Sequence, residues 1–149
     1  MTETPPGRPP LSYLLRVLHQ RFADEIDAHL RGLGFDDVRP GAAKVFPFVP
    51  PEGIQVGELA ARAGVRKQTM AEAVEQLERA GYLERRPNAS DRRSRLVFLT
   101  DRGRQARPTA AAAGREVENH WTELVGADRI EALRDTLSEL LARLDDDPA

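Results

Sequence analysis

Between Gly57 and Leu99 the chain switches from helical to strand-like patterning around a few glycines, and this confines the fold more than any other feature. Residues 57–63 read as a short helix closed by Gly64. Residues 67–80 read as a second helix, with Met70, Ala73, Val74 and Leu77 on one face and Gly81 as its stop. Residues 82–86 and 95–99 read as strands. The stretch between them, Pro87-Asn88-Ala89-Ser90-Asp91-Arg92-Arg93-Ser94, is too polar and turn-rich to be anything but a loop. Ala60 lets two helices cross closely, Gly64 can take the left-handed turn conformation, and Val65 and Met70 plug the angle between the helices. The expectation is a helix-turn-helix followed by a two-stranded wing.

The flanks are helical. Leu11, Leu14, Leu15, Leu18, Phe22, Ile26, Leu30 and Leu33 recur at spacings of three and four, one apolar stripe stopped by Gly32 and Gly34. Pro40 is placed to open a second helix carrying Ala43, Val45, Phe46 and Val49, with Pro47 near its end. Residues 50–53, Pro-Pro-Glu-Gly, break the chain, and residues 54–56 fit a very short strand. Thr100 is the predicted N-cap of a helix reaching Val125, kinked at Pro108. Beyond Gly126, Ile130, Leu133, Leu137, Leu140 and Leu144 form a seam suited to an intrachain or dimer core. The predicted fold is mainly α with a small β-wing (α+β). Residues 1–10 form a Pro-rich flexible arm and 11–149 a single domain. Within it, 39–100 is the winged head, and 11–38 with 101–145 the helical body.

Composition narrows the function. Of 149 residues, 40% are hydrophobic and 31% charged, the balance of a globular chain. No apolar run approaches the ~20 residues of a membrane span, and the first ten residues lack the layout of a signal peptide. A cytoplasmic protein without a membrane partner is expected. The absence of cysteine excludes disulfides and thiolate metal sites, and His19, His29 and His120 are too scattered to suggest a metal site. No cofactor is expected. The net charge of −2 conceals an asymmetry. From Arg62 to Arg104 eleven Lys/Arg face six Asp/Glu, whereas from Glu116 to Ala149 three face ten. A basic head on an acidic body points to a polyanion partner.

The second helix of the pair starts Arg66-Lys67-Gln68-Thr69-Met70. Residues at that position reach base edges in the major groove. Gln68 suits adenine, Lys67 guanine, and Thr69 a phosphate or a thymine methyl, while the helix N-terminus itself favours phosphate. Arg92 and Arg93 occupy the hairpin tip, with Arg85, Arg86 and Arg95 on its strands. Arginine at such a tip can enter the minor groove, where negative potential is strongest. Asp91 beside them is expected to pair with an arginine and shape the loop.

These runs resemble the MarR (multiple antibiotic resistance regulator) family. The match comprises 57–65 (Gly-Glu-Leu-Ala-Ala-Arg-Ala-Gly-Val), Lys67-Gln68-Thr69, Val74, Leu77-Glu78 and 81–85 (Gly-Tyr-Leu-Glu-Arg). It continues through Asp91-Arg92-Arg93-Ser94 and 99–103 (Leu-Thr-Asp-Arg-Gly), so that about residues 11–145 fit in order and spacing. The resemblance implies six helices with a winged hairpin. It implies a homodimer built from the terminal helices on a near-palindromic operator in double-stranded DNA. It also implies that a small aromatic or phenolic ligand loosens DNA binding. On that basis the chain is expected to be a ligand-responsive repressor. DNA contact is assigned to Arg66, Lys67, Gln68, Thr69, Arg86, Arg92, Arg93 and Arg95. Three departures stand out. Arg66 replaces a usual Ser or Thr cap, Glu72 stands where arginine is common, and Pro47 and Pro108 interrupt helices that usually lack proline. An effector pocket is expected between the first, second and fifth helices, with Tyr13, His19, Phe46 and Trp121 as wall residues. No Ser/His/Asp order, phosphate-binding glycine loop or catalytic metal spacing suggests an enzyme.

Overall fold

The computed structural model describes residues 7–39 and 41–146. In chain order come α1 (Leu11–Gly32), a 3₁₀ helix (Ala42–Phe48), α2 (Val56–Ala63), α3 (Lys67–Arg79), β1 (Leu83–Pro87), β2 (Arg95–Leu99), α4 (Asp101–Val125) and α5 (Ala127–Asp146). The chain divides into two compact units at Gly114/Arg115, inside α4 and not at the expected head-body limits. Pro40 as a helix opener, and the N-terminal arm over residues 1–6, lie outside the described residues.

The first unit is built on one apolar core. Val45, Phe46, Val49, Leu59, Met70, Val74, Leu77 and Tyr82 are all essentially inaccessible to solvent. α2 ends at Gly64, which takes φ +67°, and the N–H of Val65 returns to the Ala60 carbonyl at 3.0 Å. This satisfies an orphan carbonyl at the helix end and sets the angle to α3. Ala60 is buried beneath that crossing. α3 starts without a side-chain cap, Arg66 being extended and unable to accept from the first-turn N–H groups.

β1 and β2 pair antiparallel in the register Leu83 with Leu99, Arg85 with Val97 and Pro87 with Arg95. The expected strand at 54–56 reduces to one bridge, in which Ile54 and Val97 exchange N–H···O bonds of 3.1 and 2.8 Å. It cannot lengthen because Val56 already begins α2. Thr100 caps α4, its Oγ1 accepting from the Gly103 N–H at 3.1 Å and donating to the Gly81 carbonyl at 2.5 Å. Gly103 is obligatory here, since a Cβ would fall 2.1 Å from the Tyr82 carbonyl oxygen. The Leu-Thr-x-x-Gly run is therefore a docking device that seats α4 on the root of the wing.

Only Asp27 and Leu30 of α1 are buried, while Leu11, Leu14, Leu15 and Leu18 are exposed. The second unit contains the end of α4 and all of α5, joined through Gly126 at φ +97°. Arg134 pairs with Glu118 across it at 2.9 Å. No residue of α5 is buried, and Leu133, Leu140 and Leu144 are 46%, 43% and 59% exposed. The seam read in the sequence is thus unfilled within this chain.

Candidate nucleic-acid interface

The angle of the helix pair leaves the first turn of α3 projecting. Arg66, Lys67, Gln68 and Thr69 are all exposed, and Met70 immediately after them is buried. Gln68 is not wholly free. Its amide Nε2 donates to Glu72 Oε1 at 3.0 Å, one turn along the helix. Glu72 is thereby an internal acceptor for Gln68, and its carboxylate dictates which end of the amide faces outward. Further along α3, Gln76 donates from Nε2 to the Asp37 carbonyl at 2.8 Å and accepts from the Arg39 N–H at 3.3 Å. The helix is pinned at mid-length to the segment that follows α1.

That segment is held in turn by a three-residue latch. The Tyr82 hydroxyl donates to Asp37 Oδ1 at 2.5 Å, and Arg102 donates to Asp37 Oδ2 at 2.6 Å and to the Ala80 carbonyl at 2.6 Å. The Arg102 guanidinium also lies 4.3 Å from the Tyr82 ring centroid. Burial alone would raise the Asp37 carboxyl, but the Tyr82 hydroxyl and the Arg102 charge outweigh it and hold it below the usual carboxylate range. Burial, reinforced by Asp37, pushes the Tyr82 phenol up to about 12.

The wing tip is ordered by its own backbone. Asn88 N–H donates to the Ser94 carbonyl at 3.1 Å, and Asn88 Oδ1 accepts from the Ser90 N–H at 3.0 Å. Asp91 Oδ1 accepts from the Arg93 N–H at 3.0 Å. Asp91 therefore folds the tip through a main-chain N–H, as Asx turns do, and does not pair with a guanidinium as expected. The reason is geometric: an acceptor two residues before an N–H closes a tight ring locally, leaving both guanidinium groups pointing outward. Arg92, Arg93 and Arg95 are exposed. Together with Arg66 and Lys67 they make no side-chain ion pair or hydrogen bond among the described residues. The other strand arginines differ. Arg85 pairs with Glu78 at 2.9 Å. Arg86 donates from Nε to Glu84 Oε1 at 2.9 Å and stacks on Phe98 at 4.4 Å from its centroid. Arg86 is thus charge-compensated, as i and i+2 neighbours on a strand share a face.

A second feature lies within the same unit. A cavity of about 450 Å³ opens between α1, the 3₁₀ helix and the first half of α4. Its walls are mostly apolar, with His19, Asp27 and Lys44 as the charged or titratable groups. The four expected wall residues divide. His19 lines the cavity. Tyr13 is 48% exposed, with Arg16 over its ring at 5.5 Å. Phe46 is 1% exposed and packs edge-on against Tyr82 at 5.7 Å. Trp121 belongs to the second unit and is absent from the lining. Gly41, Ala43, Lys44 and Pro47 line the cavity, while Phe46 turns into the core against Tyr82. The run Ala110-Ala111 with Gly114 supplies small residues opposite, and this is what leaves the space.

A helix pair set at an angle and followed by an arginine-tipped two-stranded hairpin defines a winged helix-turn-helix protein. Residues 49–94 match the MarR family, a stretch that contains the projecting helix, β1 and the wing tip but ends before β2. The transcriptional activatory protein BadR of Rhodopseudomonas palustris is 33% identical over 93 residues, which are 62% of this chain and 52% of BadR. The exopolysaccharide II synthesis transcriptional activator ExpG of Rhizobium meliloti is 28% identical over 95 residues, 64% of this chain and 49% of ExpG. The alignment spans about half the length of these curated relatives. Among solved structures, the transcriptional repressor CouR bound to a 23-mer DNA duplex superposes with a TM-score of 0.74 at 25% identity, covering 94% of this chain and 99% of CouR. CouR from Rhodococcus jostii RHA1 is also known bound to p-coumaroyl-CoA, at 24% identity and a TM-score of 0.68, covering 87% of this chain and 90% of CouR. The match to the MarR family thus covers 46 of the 149 residues.

Proposed function

We propose that this protein is a ligand-responsive transcriptional repressor that grips a pseudo-palindromic operator in double-stranded DNA as a homodimer. One observation carries the reading. Five cations without partners among the described residues, Arg66, Lys67, Arg92, Arg93 and Arg95, cluster on the start of α3 and on the wing, in a chain whose net charge is −2. Uncompensated like charges repel one another, and a polyphosphate surface relieves that repulsion. In this reading Lys67, Gln68 and Thr69 meet base edges in the major groove, and Arg92 or Arg93 enters the adjacent minor groove.

Dimerisation is supported by the exposed leucines of α1 and α5, since apolar seams of this kind are covered in solution by a second surface. A two-fold pair would set the reading helices about one DNA turn apart, roughly 34–36 Å. Effector control is supported by the cavity. Gly41 and Lys44 line it, and they also line a smaller cleft whose far wall is Thr69, Glu72, Ala73 and Gln76 of α3. A ligand on one side of this segment therefore acts on the recognition helix through a single layer of chain. The CouR structures, one with DNA and one with an acyl-CoA, are consistent with both halves of the reading.

The test is selection of bound sequences from a random duplex pool, with sedimentation of the purified chain alongside. A dimer enriching two half-sites one turn apart is expected. A monomer that enriches no sequence even in dilute buffer would overturn the proposal.

A further inference from the structure

Gln68 and Glu72 stand one turn apart on α3, both exposed, on the same face of the projecting helix. The Gln68 Nε2 donates to Glu72 Oε1 at 3.0 Å. Glu72 has no other hydrogen bond and no ion pair among the described residues. Arg39 and Lys44 share a cleft with it, and neither pairs with it. The carboxylate therefore neutralises no cation, and on a helix that faces DNA it repels phosphate. Its one structural effect is on the neighbouring amide. A carboxylate accepts and does not donate, so Gln68 must turn its NH2 end toward Glu72. A flipped amide would set two acceptor oxygens against each other. The end left outward is the carbonyl Oε1, with one remaining N–H beside it.

We infer that Glu72 is a positioning residue for base selection: it locks the Gln68 amide so that Oε1 reads an exocyclic amino group, adenine N6 or cytosine N4, and guanine is refused. The inference rests on the DNA-binding reading given above and makes it specific. In the major groove adenine and cytosine each present an amino donor, whereas guanine presents O6 and N7 and thymine O4, all of them acceptors. A freely turning glutamine can offer its NH2 to guanine. The locked amide meets guanine acceptor to acceptor, and the carboxylate beside it adds to the repulsion. Against adenine the remaining N–H can also reach N7, which satisfies both ends of the amide. Glu72 thus weakens binding to every duplex through its charge and sharpens the choice among them through Gln68.

The experiment starts from the duplex that the full chain selects from a random pool. The position at which Gln68→Ala relaxes the selection identifies the base pair that Gln68 reads. Four duplexes carrying A, C, G or T there, changed alike in both half-sites, are titrated by fluorescence anisotropy at one salt concentration, and they tell the two amino bases apart. The parent chain should prefer an amino base over guanine by at least about tenfold, as loss of one good base contact gives. Glu72→Gln keeps the side chain's shape and frees the Gln68 amide to turn. It should shrink that preference to within about threefold, with guanine gaining most. Loss of the charge should also tighten binding to all four duplexes, and a residue acting by charge alone would give that uniform rise and nothing else. In the Gln68→Ala background, Glu72→Gln should move all four affinities alike, their ratios staying within about twofold. Both positions are exposed, so neither change reaches the core. Guanine or thymine favoured by the parent chain, an unchanged preference in Glu72→Gln, ratios that Glu72→Gln still alters once Gln68 is gone, or no position relaxed by Gln68→Ala overturns the assignment and leaves DNA binding standing. A chain that enriches no duplex overturns the DNA reading itself, and this inference with it.

Discussion

The division of the wing arginines into compensated and uncompensated groups leads to a quantitative expectation. Each protomer carries, on the proposed DNA face, five cations without partners among the described residues, hence ten in a dimer. If each neutralises one phosphate, log K against log salt should fall with a slope of about −9. Arg93→Ala removes two of the ten charges per dimer and should bring the slope to about −7. Between 50 and 200 mM salt the variant should then lose about tenfold less affinity than the parent chain, while binding more weakly at the low-salt end. The loop itself should survive, because its turns are closed by Asn88, Asp91 and Ser94 through main-chain groups and not by the Arg93 side chain. Arg86→Ala is the internal control. Its charge is already held by Glu84 and its plane by Phe98, so the slope should move by less than about 0.5. Fluorescence anisotropy of a labelled operator at five or six salt concentrations reads both variants. Equal slope changes for Arg86→Ala and Arg93→Ala, or none for Arg93→Ala, would refute the reasoning.

Other consequences are more local. Gly103→Ala drives a methyl group into the Tyr82 carbonyl, and urea unfolding should show a loss of about 3 kcal/mol, the upper end of overpacking costs. An unchanged midpoint would mean that α4 does not seat on the wing root as described. Tyr82→Phe should cost about 1 kcal/mol at neutral pH, since Arg102 still holds the bereaved carboxylate. Because the folded phenol titrates at about 12 against 10 when unperturbed, the stability it contributes is fully present below pH 10 and disappears as pH rises through about 12. Asp37 has the opposite sign. Its depressed carboxyl contributes stability above the ordinary value of 3.8, and this is lost as pH falls through the lower folded value. Denaturant melts of parent and Tyr82→Phe at pH 8 and above pH 12 should therefore converge at the alkaline end, and a constant gap would exclude the latch. Leu137→Asp, in the α5 seam, should yield monomers in sedimentation; a persistent dimer would remove that seam from the interface.

The helix pair and wing were open to reading from the sequence because their signals are local. Gly64 must turn the chain wherever it lies, Lys67–Arg79 carries its apolar face at helical spacing, and eight polar residues between two strands can only be a loop. The arginine tip follows from the same stretch. Three features did not follow. Phe46 fits a wall position by its place in the sequence, but residues 42–48 form a 3₁₀ helix in which Phe46 packs on Tyr82 in the core and Lys44 lines the cavity. Asp91 suggests a guanidinium partner by its neighbours, but its carboxylate accepts from the Arg93 N–H two residues on. Arg86 looked like its neighbours until Glu84 and Phe98 closed around it.

Short-range periodicity and turn chemistry thus determined which elements exist and which family they resemble. Tertiary structure alone decided which charges remain uncompensated and where the cavity lies. It also decided that Asp27, an unremarkable acid on a helix, is buried against Gly41 fourteen residues away. The physical reason is that a side chain's electrostatic worth depends on its desolvation and its partners. Those are set by packing between segments distant in sequence, which residue spacing does not encode.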